Sequence, residues 1–284
     1  MNFHDDAVRF KIRDGVIKDI DDYWAKKRPN RQAVRISPSS IGEECAAQSW
    51  YRWRWATEPK PADGRMARYN SRGEDNEKDF IEWLRATGWT VLEIDEKTNT
   101  QFAIHGFYGH LYGKCDSIAS HPVYTEGQFI LLEYKYINYK RFTTLTNKPL
   151  IEADFKYYCQ VCIYMDYLGL PACMFLPSSR NDDDFRPVII PADPAQVRVL
   201  EAKINTVMTS KVRPARIAES SAFYKCKLCD YAGPCHHNQP LPKSCRSCVF
   251  CVPTNDGKFG CEHWGQVIPK DVIKVGCDNW DPVK

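Results

Sequence analysis

The chain has 284 residues, with 39 Lys+Arg against 36 Asp+Glu and a formal net charge of +3, a length that suits one large domain with a small module, or two modest domains. Its 43% hydrophobic, 13% aromatic and 26% charged residues argue against intrinsic disorder and fibrous repeats. No apolar run reaches the roughly 18 residues of a membrane span, since Asp166 interrupts the best stretch, Tyr157–Pro177.

The opening residues MNFHDDAVRFKIRD hold no signal-peptide apolar segment, which predicts a cytosolic, non-membrane protein. With so small a net charge, any positive surface for a nucleic acid must be local. Cysteine is the anomaly: 8 of the 13 lie between positions 226 and 284. In a reducing compartment, cysteines at such density and close spacing are more often metal ligands than disulfides.

In chain order, residues 1–36 read as a polar helical lead-in, with Val16, Ile17, Ile20 and Trp24 at helical spacing. Ser37-Pro38-Ser39-Ser40 signals a helix start, and the helix that follows carries Cys45 and SWYRWRW until Pro59 and Pro61 end it. A second helix is expected from about Gly73 to Thr87, stopped by Gly88. Strands are expected at Thr90–Ile94, Gln101–Ile104, Gly109–Ala119 and Phe129–Ile137, from their β-branched and aromatic content.

Ile151–Leu168 is a strong amphipathic helix. Strands follow at Ala172–Leu176 and Pro187–Ile190, then a charged helix near Pro194–Lys211. This order predicts an α/β fold, a mixed central β-sheet flanked by helices, spanning residues 37–237. Residues 238–284, rich in Cys, Pro and Gly, read as a small metal-stabilised C-terminal module.

The informative strand is FILLEYKYI. A period of two puts Leu131, Glu133, Lys135 and Ile137 on one face, and two ionisable groups among apolar neighbours are costly to bury unless paired or holding a metal. Gly113-Lys114-Cys115-Asp116 brings a second acid from the preceding strand. Metal-assisted phosphodiester hydrolysis wants this arrangement: Asp116 and Glu133 as oxygen ligands to Mg²⁺ or Mn²⁺, Lys135 to orient water and stabilise the transition state. The bland alternative is a strand salt bridge. Glu77, on the helix before the strands, offers a further acid, and Gln160 and Tyr164 share a face of the helix after them.

Gly73–Glu77 (G-x-x-x-E), Gly113–Asp116 (G-x-x-D), Glu133–Lys135 (E-x-K) and Gln160–Tyr164 (Q-x-x-x-Y), in that order, resemble the PD-(D/E)XK nuclease superfamily and its RecB-like exonuclease branch, over residues 37–237. The resemblance implies a restriction-endonuclease-like core, with Asp116 and Glu133 as metal ligands and Lys135 as the catalytic lysine. It also implies Glu77 as the helical acid and Gln160 and Tyr164 as substrate-positioning residues. Cys115 stands where many relatives carry proline.

Two cysteine clusters follow. Cys226-x2-Cys229-x5-Cys235 needs a fourth ligand; the resemblance implies Cys45, as in relatives with a 4Fe–4S cluster. Zn²⁺ on the same three cysteines with His236, His237 or Cys45 stays open. Cys245-x2-Cys248-x12-Cys261-x15-Cys277 suits a structural tetrahedral Zn²⁺ site, with Cys251 and His263 as spare donors. Cys159, Cys162, Cys115 and Cys173 read as core.

Trp50–Trp55 suits base stacking, although packing beside a cluster ligand is the commoner use of such density. Arg65, Arg68 and Arg72, ahead of Glu77, and Lys140, Arg141 and Lys148, after the E-x-K strand, are the expected phosphate contacts.

The sequence therefore predicts a metal-dependent deoxyribonuclease acting on DNA, as an exonuclease by resemblance, with a recombination protein as a conceivable partner. A structure-selective endonuclease and a non-cutting nucleic-acid adaptor using the zinc tail are the alternatives.

Overall fold

The computed structural model describes residues 4–284. The chain forms two compact units, one from the segment up to Gln32 together with Pro59–Glu82, the other from Ala33–Glu58 and Trp83–Lys284.

The first helix, α1 (Asp6–Lys27), is capped by the Asp5 side chain, which accepts from Ala7 N at 2.8 Å. The expected helix forms, but no residue of it is buried: Val16 and Ile17 are more than half exposed. Its apolar residues are interleaved with charges and gather on no single face, so helical spacing here produces no core stripe. Helices α2 (Pro38–Ile41) and α3 (Ala46–Trp53) belong to the second unit. Ser37 and Ser40 cap α2 reciprocally and Pro38 fixes its first turn. The fourth helix, α4 (Gly64–Ala86), starts nine residues earlier than its periodicity predicts; its part up to Glu82 belongs with α1. Within that first unit Arg28 pairs with Glu74 and Arg68 with Asp21.

The strands follow as β1 (Thr90–Leu92), β2 (Ile94–Asp95), β3 (Thr100–Gln101), β4 (Ala103–Gly106), β5 (Leu111–Lys114), β6 (Ser117–Ser120) and β7 (Ile130–Ile137). After them come α5 (Tyr139–Asn147), α6 (Leu150–Ala153), α7 (Phe155–Leu168), β8 (Ala172–Ser179), β9 (Val188–Pro191) and α8 (Pro194–Thr209). The expected single helix from Ile151 is broken at Asp154, whose carboxylate instead caps α7 by accepting from Tyr157 N at 3.1 Å. Gly169, at φ +67°, ends α7 in the left-handed conformation that glycine adopts without strain.

The main sheet is mixed, in the order β1-β6-β7-β8-β9. Only β7 and β8 run parallel, in register from Leu131 opposite Cys173 to Ile137 opposite Ser179; the other neighbours are antiparallel. The chain between β7 and β8 carries α7, whose buried Val161, Cys162, Ile163 and Met165 join Leu131, Phe175 and Ile204 in the core. Helix α2 approaches α7 so closely that a Cβ on Gly42 would stand 2.6 Å from Lys156 Cα. Cys115, Cys159, Cys162 and Cys173 are at most 1% exposed and pack as small apolar residues. Among the described residues no helix is long and apolar enough to cross a membrane.

Short helices α9 (Tyr224–Lys227) and α10 (Ala232–His236) lead to a three-stranded sheet of β10 (Cys251–Pro253), β11 (Phe259–Cys261) and β12 (Gln266–Val267). Arg246 fastens this module to the rest of the unit. Its side chain is 1% exposed, its guanidinium carbon lies 4.0 Å from the Trp53 ring centre and 3.9 Å from that of Phe259, and it donates to the carbonyls of Trp53 and Val34. Arg54 reaches the other way, donating to Cys251 O at 3.1 Å and Ser210 O at 2.7 Å.

Trp50 is fully buried and its indole N–H donates to Ser210 O at 2.9 Å. Trp50→Ala is expected to remove about 3–5 kcal/mol of stability, read as a lowered urea midpoint with the slope unchanged.

Candidate active site

The strand expected over Gly109–Ala119 is two strands in two sheets. Cys115 and Asp116 form the break: β5 before it pairs with β4, and β6 after it pairs with β1 and β7. Asp116 is half-buried at this bend, and its Oδ2 accepts from the backbone N–H of Tyr134 at 3.2 Å. That bond ties the acid to the middle of β7. Gly113 of the G-x-x-D motif is a packing requirement, since a Cβ there would lie 2.5 Å from Pro38 Cδ and 2.8 Å from the Tyr164 hydroxyl.

On β7, Glu133 is 1% exposed. Its Oε1 accepts from Gln160 Nε2 at 2.6 Å and from Lys135 Nζ. Its Oε2 is buried and has no hydrogen-bond partner. Lys135, a fifth exposed, also donates to Tyr134 O at 3.1 Å, and its ammonium stands 5.3 Å from the Tyr157 ring centre. Burial, with the neighbouring Asp116 charge adding to it, pushes the Glu133 carboxyl up. Burial opposes the Lys135 charge, but Glu133 and Asp116 together hold its pKa above the ordinary lysine value.

Helix α7 supplies the other wall. Gln160 points at Glu133, whereas the Tyr164 hydroxyl donates to Lys114 O at 2.6 Å and so supports the chain leading into Asp116. Tyr157, one turn before Gln160, was not distinguishable in sequence from the apolar stripe around it. Its ring faces both Lys135 and Arg141, the latter 4.8 Å away and also paired with Asp154. Lys140 and Lys148 are exposed, at the start of α5 and just after its end.

Glu77 lies half-buried on α4 in the first unit, with exposed Arg65 and Arg72 and the Asp21-paired Arg68. The residues brought together in the second unit are therefore Asp116, Glu133, Lys135 and Gln160, with Tyr164 behind Asp116.

Among the described residues, no group of three or more His, Cys, Asp or Glu side chains stands ready to hold a metal ion. The orphaned Glu133 Oε2, within reach of the Asp116 charge, nevertheless fits a hard cation that takes few protein oxygens and keeps several waters.

None of the cysteines is in a disulfide among the described residues. Cys45, Cys226, Cys229 and Cys235 line one cavity of about 330 Å³, with His236 also on its wall. His237 does not line it. Cys226 O and Cys229 O each accept a backbone N–H three residues on, at 3.1 Å, and Cys229 Sγ accepts from Tyr231 N at 3.4 Å. This donor set fits a thiolate-held cluster in kind. Trp50, Tyr51, Trp53 and Trp55 are each at most 5% exposed, so they pack and do not offer faces for base stacking.

No protein-family model and no curated protein matches the chain. Among solved structures it is similar to LHK-Exo, an alkaline exonuclease from Laribacter hongkongensis, at 17% identity over 66% of this chain and 90% of that one, with a TM-score of 0.41. The same exonuclease in complex with dAMP aligns at 16% identity over 66% and 89%, with a TM-score of 0.41. A protein named SSO0001 aligns at 13% identity over 76% and 94%, with a TM-score of 0.43.

Proposed function

We propose that this chain is a metal-dependent DNA nuclease whose reaction centre is Asp116, Glu133 and Lys135. The observation that supports it most is the buried Glu133 carboxylate, gripped on Oε1 by Gln160 and Lys135, left unpartnered on Oε2, and within reach of the Asp116 charge. A plain strand salt bridge gives no account of that arrangement, because an orphaned buried acceptor is destabilising.

Asp116 and Glu133 would hold Mg²⁺ or Mn²⁺. When bound, the ion supplies acidification of a water and neutralisation of charge on the phosphate. Hydrolysis adds the water oxygen to phosphorus, breaks a P–O bond and passes a proton to the departing alkoxide. Lys135, held cationic by its two carboxylates, is placed to orient the water and to stabilise the developing negative charge. Gln160 fixes the Glu133 rotamer, and the Tyr157 ring limits where the ammonium can swing. Lys140, Arg141 and Lys148 would take phosphates. Exonucleolytic action rests on the motif resemblance. In the same reading, Cys45, Cys226, Cys229 and Cys235 hold an iron–sulfur cluster that clasps the segment around residue 45 to residues 226–235; zinc with His236 is its competitor.

On end-labelled DNA, Mg²⁺ or Mn²⁺ is expected to support cleavage and EDTA to stop it. Lys135→Ala is expected to lower the rate at least ~100-fold while circular dichroism stays native, although loss of the Glu133 partner lowers the melting temperature. Cleavage unaffected in that variant refutes the assignment.

Glu133→Gln tests the same centre through stability. The Glu133 pKa is raised in the fold, so ionising it costs stability as pH climbs from 4.5 towards about 7. The neutral isostere escapes that loss. Glu133→Gln is therefore expected to cleave no DNA yet to melt no lower than the parent protein at pH 8 without metal.

A further inference from the structure

Arg54 and Arg246 present an unsolved electrostatic problem. They are 2% and 1% exposed, yet among the described residues no carboxylate lies within salt-bridge distance of either. Their hydrogen bonds go to carbonyls, Arg246 is otherwise surrounded by rings, and Arg54 Nε is buried without a partner. A buried cation without an anion is expensive. Besides the aromatic faces, the negative groups that interact with these guanidiniums are cysteines: Cys251 and Cys248 with Arg54, and Cys251 with Arg246.

The C-terminal cysteines are placed to provide the compensating charge. Cys245, Cys248, Cys261 and Cys277 line a single cavity of about 20 Å³, room for one water-sized body. Each of three reverse turns begins at one of them: Cys245 O accepts from Cys248 N at 3.1 Å, Cys261 O from Gly265 N at 2.8 Å, and Cys277 O from Trp280 N at 3.1 Å. Arg246 itself sits inside the first turn, between two of the cysteines.

We propose that Cys245, Cys248, Cys261 and Cys277 form a four-thiolate zinc site whose net negative charge balances the buried guanidiniums of Arg54 and Arg246. Zn²⁺ with four thiolates carries two net negative charges, matching two guanidiniums. Among the described residues no three such side chains stand ready to hold a metal; on loading, each thiol would give its proton to solvent as its Zn–S bond forms.

Cys251 and His263 stand outside the set although both border the cavity. Cys251 is 3% exposed on β10 beneath the two guanidiniums, and the His263 ring is packed against Phe250 and Trp264, with centroids 5.2 and 4.9 Å away. Cys245 interacts electrostatically with Cys277, Cys248 and Cys261, while Cys251 interacts with Cys245 and Cys248 and with both guanidiniums, so the variants below decide between them. Nothing in this site depends on the proposed cleavage reaction.

The test measures zinc per chain by mass spectrometry on full-length protein. Cys261→Ser and Cys277→Ser are each expected to lose one equivalent relative to the parent, while Cys251→Ser and His263→Ala keep it. Unchanged zinc in the first pair, or loss in the second, overturns the assignment. Should the first pair fail to fold, a Cys226→Ser/Cys229→Ser chain loaded with Co²⁺ decides. Intense sulfur-to-cobalt charge-transfer bands of tetrahedral four-thiolate ligation support the site; no uptake, or a spectrum with an imidazole ligand, overturns it. Charge balance has its own readout. Metal removal is expected to lower the melting temperature of the parent by more than that of Arg246→Met, and an equal drop in both refutes the balance.

Discussion

Burying one carboxylate in the middle of a β-sheet is the constraint around which the second unit is arranged. Glu133 has lost water on every side, and its environment compensates on one oxygen only. Gln160 must come from a helix packed squarely over β7, which requires the β7–α7–β8 crossover and the parallel pairing it creates. Asp116 must arrive from the opposite neighbour, which requires the chain to leave one sheet and enter another just before β6. The polar centre thus dictates topology as much as the apolar core does. Such a centre is a stability cost retained where chemistry needs it.

Much of this was legible in the residues. The E-x-K face followed from the two-residue period of a strand, and α7 from apolar spacing at three and four. The break at Cys115–Asp116 was not, because both flanks are β-prone and only the pairing partners distinguish one long strand from two short ones. Asp154 ended one helix and began another for a similar reason: its capping role depends on where the Tyr157 N–H points. Tyr157 was hidden inside an apolar stripe whose other members are core.

Arginine was the other blind spot. Nothing in the sequence singles out Arg246, and no local pattern announces that the rings of Trp53, Trp55 and Phe259 will enclose it. The lead-in helix erred in the opposite sense: its spacing is helical, but nothing in that spacing reveals that its apolar side chains stay in water.

Pro38 carries one more implication. Its ring fills the space over Gly113 that a side chain would otherwise take, and it sits at the head of the same short segment that ends at Cys45. Ile36, just before it, bridges to Leu111 at the start of β5. One packing contact therefore links the segment between Ser37 and Cys45 to the strand that ends just before Asp116. Any side chain at position 113 would push into the Pro38 ring and so disturb both segments at once.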